Sequence, residues 1–209
     1  FAKETSQWTE IGQNTIAIGN QSNAAFSNAI AIGNQSYALN KDAIAVGSQS
    51  NAIGTGAVAL GHKAQSQIGI ALGSNAQTVQ GIALGSNAYN LGGGLAIGDD
   101  AESTGSLSIA IGDGAKSNGL NTLAIGIGAE ANDTQSVAIG YTSVANSAYT
   151  TALGTSAIAM GQNSTALGAL SEAHGDNDLA VGTAAIANGG SSVAVGDLAK
   201  ASGEFSTAM

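Results

Sequence analysis

The chain contains no cysteine and no proline among its 209 residues, and its five basic residues are all lysine. Without cysteine there is neither a disulfide framework nor a thiolate metal cluster. The absence of arginine, with a formal net charge of −9, leaves no basic footprint for a nucleic-acid backbone, so no nucleic-acid partner is expected. Aromatic residues make up 4% of the chain and charged residues 9%, less than an ordinary globular core and surface require. No apolar run approaches the ~20 residues that cross a bilayer as a helix, and no membrane contact is expected of this segment. What the chain has instead is glycine, 31 residues of it, set among alanine, serine and asparagine.

The glycines are periodic. Fourteen times a large residue, an alanine, a second large residue and a glycine follow one another, from Ile16-Ala17-Ile18-Gly19 to Val193-Ala194-Val195-Gly196. The closing glycines fall 14 residues apart, except between Gly61 and Gly98, where the intervals are 12, 12 and 13. A fixed period this short is that of a solenoid, with one repeat per coil. The flanking residues are Ile, Leu or Val in 26 of 28 cases; Thr151 and Thr165 are the exceptions. Strand side chains alternate between faces, so each large pair shares one face and the alanine lies on the other. The third residue after each glycine is always small, as at Ser22, Ser36, Ala64 and Ala115, and the fifth nearly always is.

One such repeat has room for two strands of about five residues and two tight corners. The coil is then flat, and its two sheets lie closer than the ~10 Å usual between packed sheets, with space only for Ala, Ser and Gly. The small residues therefore point inward and the large pairs outward. On this reading Ala110 fills the interior, where leucine has no room, whereas Ser108 lies near a corner and tolerates one. The shortened repeats must lose residues from corners, because a deletion within a strand would turn every later side chain to the opposite face. Glycine suits the corner after the motif, and Asn, Ser and Asp crowd the other. Gly161, at the half period after Ala157-Ile158-Ala159-Met160, marks a coil with two equivalent halves.

The outward pairs form an unbroken stripe that includes Ile16, Ile18, Ile30, Ile32, Ile44, Val46, Ile82, Leu84, Ile109, Ile111, Leu123, Ile125, Val137, Ile139, Leu179, Val181, Val193 and Val195. It exceeds the few hundred Å² of contiguous apolar surface that soluble monomers expose. Covering it is worth at most roughly 1.5–3 kcal/mol per side chain before entropy is counted. Self-association about an axis parallel to the stack covers it most simply, each coil meeting its equivalents, so these residues are expected to form an oligomer interface.

Gln135-Ser136-Val137-Ala138-Ile139-Gly140-Tyr141-Thr142-Ser143 and Ser191-Ser192-Val193-Ala194-Val195-Gly196 resemble the head repeats of trimeric autotransporter adhesins, the YadA-like family of Gram-negative surface proteins. The resemblance extends from about Glu10 to Met209. It implies an all-β, left-handed parallel β-roll of about 14–15 coils, trimerised along its length, and so a homotrimer built on the stripe. It further implies a non-enzymatic head on the bacterial cell surface, anchored in the outer membrane through a C-terminal region absent from this sequence. Family heads bind extracellular-matrix proteins such as collagen, fibronectin or laminin, or cell-surface receptors, and some mediate autoaggregation or abiotic attachment. Thr9-Glu10-Ile11-Gly12 reads as a partial repeat and Thr207-Ala208-Met209 stops inside one, so residues 1–209 are expected to be a single head domain cut at both ends.

Sites of chemistry are scarce. His62 and His174 stand in different coils and read as isolated corner residues, without the partners that catalysis or a metal needs. Gly112-Asp113-Gly114-Ala115-Lys116-Ser117 interrupts the contiguous Gly-Lys-Ser/Thr of a phosphate loop. Asp99-Asp100-Ala101-Glu102 and Asp176-Asn177-Asp178 offer oxygen ligands, but read better as turn acids in solvent. Asn20, Asn34, Asn132 and Asn163 open N-x-Ser/Thr sequons that repeats this rich in Asn and Ser generate by chance. No catalytic residue, metal or cofactor is expected.

One outward row does change along the chain. Two and four places after the motif glycine it is polar at Gln21, Asn23, Gln35 and Tyr37, yet apolar at Val144, Ile158, Leu170 and Ile186. These four are a candidate ligand-binding face, with subunit packing as the competing reading. Left-handed β-helix acyltransferases resemble the repeat, but have 18-residue coils with large aliphatics inside and a catalytic histidine. A phage fibre or other structural solenoid is the alternative to an adhesin. An ice-binding solenoid would need a flat ladder of one residue, typically threonine, which is absent.

Overall fold

A computed structural model describes residues 12–209, so Thr9, Glu10 and Ile11 of the partial repeat lie outside the described residues. Each coil consists of a three-residue strand, a corner, a two-residue strand and a second corner. In one coil Ile44–Val46 and Asn51–Ala52 are the strands, and Val58–Leu60 opens the next. The strands are thus three and two residues long, not about five. The corners take the difference, because each contains a residue in the left-handed region that ends the extended run.

The described residues form two compact units, divided between Asp100 and Ala101. In the first, the three-residue strands stack in chain order from Ile16–Ile18 to Leu95–Ile97. The two-residue strands stack beside them from Asn23–Ala24 to Tyr89–Asn90. In the second, Ile109–Ile111 through Val193–Val195 make one sheet, and Glu102–Ser103 through Lys200–Ala201 the other. All of these pairings are parallel, and each strand meets the same motif position of the next coil. In the three-residue strands alanine pairs with alanine and, apart from Thr151 and Thr165, aliphatic with aliphatic, as in Ala110↔Ala124 and Ile111↔Ile125.

The core of each unit is alanine. Ala31, Ala45, Ala59 and Ala71 belong to the first, Ala124, Ala138, Ala152 and Ala166 to the second, and all are fully buried. The two sheets of a coil are therefore separated by little more than a methyl group from each side, as the small-residue face required. Ser108 is an exception to the sequence reading. It is fully buried and its hydroxyl meets Ser103 Oγ at 2.6 Å and donates to Gly105 O at 2.7 Å. In a full coil the residue just before the three-residue strand faces inward, so leucine fits at Ser108 no better than at Ala110.

The motif glycines hold the coils together. Gly140 has φ +139, and a Cβ built on it would collide with the carbonyl oxygen of Gly154 in the next coil. Conformation and close approach both demand glycine there. The half-period Gly161 is different, since it does not have the positive φ of the motif glycines. The two halves of its coil are not equivalent.

The shortened repeats do lose their residues from corners. The corner after the two-residue strand is 53–57 in a full coil, but 67–69, 79–81 and 91–94 in the shortened ones, while Ala59↔Ala71 and Ala83↔Ala96 remain in register. A shortened corner loses its own inward small residue. A larger polar residue on the preceding strand takes the space. Ser66 Oγ donates to Gly69 O at 2.8 Å, Thr78 Oγ1 to Gln80 O at 2.9 Å, and Asn90 Nδ2 to Ile82 O at 3.2 Å.

Candidate binding faces

The outward aliphatics of the three-residue strands are half-buried or exposed, while every alanine between them from Ala31 to Ala194 is sealed. Ile16, Ile18, Leu84 and Val195 are exposed; the other stripe residues named above are half-buried by their neighbours along the ladder. Each unit therefore presents a continuous apolar sheet face that its own chain leaves uncovered.

The corners carry polar ladders. In the first unit Gln35 Nε2 donates to Gln21 Oε1 at 3.0 Å, and Gln49 Nε2 to Gln35 Oε1 at 3.2 Å. At the opposite corner Asn28 Nδ2 donates to Asp42 Oδ1 at 2.8 Å, and further along the glutamine corner Asn87 Nδ2 donates to Asp100 Oδ1 at 2.9 Å. A carboxylate ends each of these two runs, a charge-assisted terminus. The second unit has the ladder Asn118, Asn132 and Asn146.

The outward row of the two-residue strands in the second unit reads Glu102, Lys116, Glu130, Val144, Ile158, Glu172, Ile186, Lys200. Val144 and Ile158 are adjacent in register. Glu172 stands between Ile158 and Ile186. Leu170 is not on this face. It is a corner residue with φ 59 and is 56% exposed. The structure thus brings together Val144 and Ile158, sets Ile186 two coils beyond Ile158, and separates Leu170 from all three. The position two after the motif glycine is left-handed in every coil, so it cannot alternate with the strand that follows.

Charge and imidazole adjoin the apolar pair. Lys116 Nζ lies 3.7 Å from Glu130 Oε1. His174 Nε2 lies 2.8 Å from Glu172 Oε2, so His174 is not isolated. Residues two apart on an extended segment share a face, a signal present in Glu172-Ala173-His174. His62 is an exposed corner residue. Asp178 is not a solvent acid. It is buried, and its carboxylate accepts Gly175 N–H at 2.7 Å, Ser192 N–H at 2.8 Å and Ser192 Oγ–H at 2.8 Å. Asp176 Oδ1 accepts the Gln162 N–H at 2.8 Å.

Comparison with known proteins bears on what such faces are for. The pattern of the YadA head domain repeat (2 copies) matches residues 11–36, 38–64 and, in overlapping segments, 93–209. The chain belongs to the YadA head family. It is an adhesin head in kind, a parallel β-solenoid of YadA repeats. The matched segments pass over 65–92, where the YadA period contracts and Ser66, Thr78 and Asn90 replace the missing corner residues. No curated protein matches the chain. Among solved structures, the collagen-binding domain of the Yersinia adhesin YadA is similar at 19% identity, over 95% of this chain and 81% of that one, with a TM-score of 0.28. In YadA terms the motif Val137-Ala138-Ile139-Gly140 supplies two outward aliphatics, one core methyl and one coil-contact glycine.

Proposed function

We propose that this chain is the non-enzymatic head of a trimeric adhesin, carried on the surface of a Gram-negative bacterium by an outer-membrane anchor. The observation that carries the reading is the YadA head repeat matched along most of the chain. Homotrimerisation buries the aliphatic face of the three-residue strands, and an apolar face of this extent supports such a partner. The ligand is an extracellular-matrix protein, with collagen, fibronectin and laminin as the family candidates, or a cell-surface receptor. Repetition of one coil presents many equivalent contacts, which favours multivalent attachment to a fibrous partner.

Within the second unit, Val144 and Ile158, bounded by Glu130 and Glu172, and Ile186, bounded by Glu172 and Lys200, form the proposed protein-binding strip. An apolar centre with a polar rim is the usual anatomy of a contact surface. The test replaces these three residues together by serine, and Leu170 separately because it lies on a corner. Attachment to immobilised matrix proteins should fall for the triple variant with thermal midpoint and oligomeric state unchanged. A fall in thermal midpoint would assign the strip to subunit packing instead. Retained attachment in both variants would remove this face from the binding reading.

A further inference from the structure

The first unit carries a second surface, separate from the strip proposed above. In three successive coils the corner residue two after the motif glycine is a glutamine, with φ 56 at Gln21, 55 at Gln35 and 62 at Gln49. Their amides form the ladder described above. The adjoining two-residue strands place Tyr37, Asn51 and Gln65 next to one another on the outward face. Gln35, Tyr37, Gln49, Asn51 and Gln65 together line a shallow concavity of about 330 Å³. None of the five is charged.

Local rules disfavour this choice of residues. Asparagine and glycine are at home in the left-handed region, and glutamine has no such advantage. Other coils of this unit put Lys63, Asn75, Asn87 and Asp100 at the same corner. Asparagine is also depleted from strands, yet Asn51 occupies one. Asn51 Oδ1 lies out of solvent without a hydrogen-bond partner, a disfavoured state that rotation of the amide toward a ligand hydroxyl would relieve.

Each amide presents donors and an acceptor in one plane, and the ladder uses only part of that capacity. The array repeats at the strand spacing of ~4.8 Å, close to the length of a pyranose ring. Sugar hydroxyls both donate and accept, and the C–H face of the ring packs on an aromatic side chain such as Tyr37. The chain's net charge of −9 repels sulfated and other anionic chains. We propose that Gln35, Tyr37, Gln49, Asn51 and Gln65 form a binding site for a neutral linear glycan lying along the coil stack. Amides from successive coils hold successive sugars, and Tyr37 supports one ring.

The test offers the full chain to immobilised neutral oligosaccharides of the cello, chito, xylo and manno series, to heparin, and to matrix proteins. Capture by at least one neutral series is expected. The double variant Gln35→Asn with Gln49→Asn withdraws both amides while favouring the corner backbone. It should weaken that capture about tenfold or more, with the thermal midpoint unchanged or raised. Asn51→Ser, a change toward better strand propensity, should weaken it as well. Matrix-protein attachment should be unaffected by either variant, which separates this site from the strip of the second unit. Capture by no neutral glycan, capture insensitive to both variants, or binding confined to heparin or to matrix protein would overturn the proposal.

Discussion

At Gly140 two demands coincide, a φ of +139 and contact with the carbonyl of Gly154. Replacing it by alanine is expected to destabilise the protein by about 2–4 kcal/mol. Gly114 has φ +63 with open space where a Cβ would stand, so Gly114→Ala should lose only about 1 kcal/mol. Equal denaturation midpoints for the two variants would contradict the coil-contact argument. The inward serines divide in the same way. Ser136 Oγ is buried with no partner, and the equivalent positions of other coils hold Ala29, Ala43 and Ala57. Ser136→Ala should therefore gain about 1 kcal/mol. Ser108→Ala removes the hydroxyl contact with Ser103 Oγ, which keeps its bond to Ser108 O at 2.9 Å, and should lose about 0.5–1 kcal/mol. Urea titration of both variants distinguishes these outcomes by sign.

At the scale of the coil, corner length decides which residue the strand before it needs. Ala52 precedes a full corner and is fully buried, whereas Thr78 precedes a short one and donates to Gln80 O at 2.9 Å. The same position should then respond oppositely to the same pair of residues. Thr78→Ala is expected to lose about 1–2 kcal/mol through a void and an unpaired carbonyl. Ala52→Thr is expected to lose about 1–3 kcal/mol through overpacking. If either exchange raised the thermal midpoint, the space-filling account of the short coils would be wrong. Asn90 fits this account only in part, since its Oδ1 lacks a partner while its Nδ2 reaches Ile82 O at 3.2 Å.

For the whole molecule the governing quantity is the apolar face left open by a single chain. A trimer at micromolar concentration is the expected outcome of sedimentation equilibrium. Replacing Ile109, Ile111, Ile125 and Ile139 together by serine should convert that trimer to monomer and lower the thermal midpoint. A wild-type chain that sediments as a folded monomer would remove the stripe from the interface argument. The alanine interior would remain, because it depends on stacking within one chain.

The repeat was legible in the sequence because strand alternation writes the burial of each side chain into its position within the motif. Ala110 inside, Ile109 and Ile111 outside, and corner deletions in the short coils all follow from that period. So does the inward position of Ser108 and Asp178, which stand one residue before a three-residue strand as Ser136, Ser164 and Ser192 do; chemical type obscured the position. The period does not report backbone conformation between strands. Leu170 does not continue the strand alternation, because the left-handed corner that interrupts it is held by coil-to-coil hydrogen bonds such as Leu170 N–H to Thr155 O at 2.9 Å. Those bonds require no particular side chain, so glutamine, leucine and tyrosine occupy such corners at Gln35, Leu170 and Tyr149. The pairing of His174 with Glu172 and the concavity around Tyr37 likewise arise where corner and strand meet. Tertiary stacking decided these features, because the neighbouring coil, and not the residue itself, fixes the corner backbone.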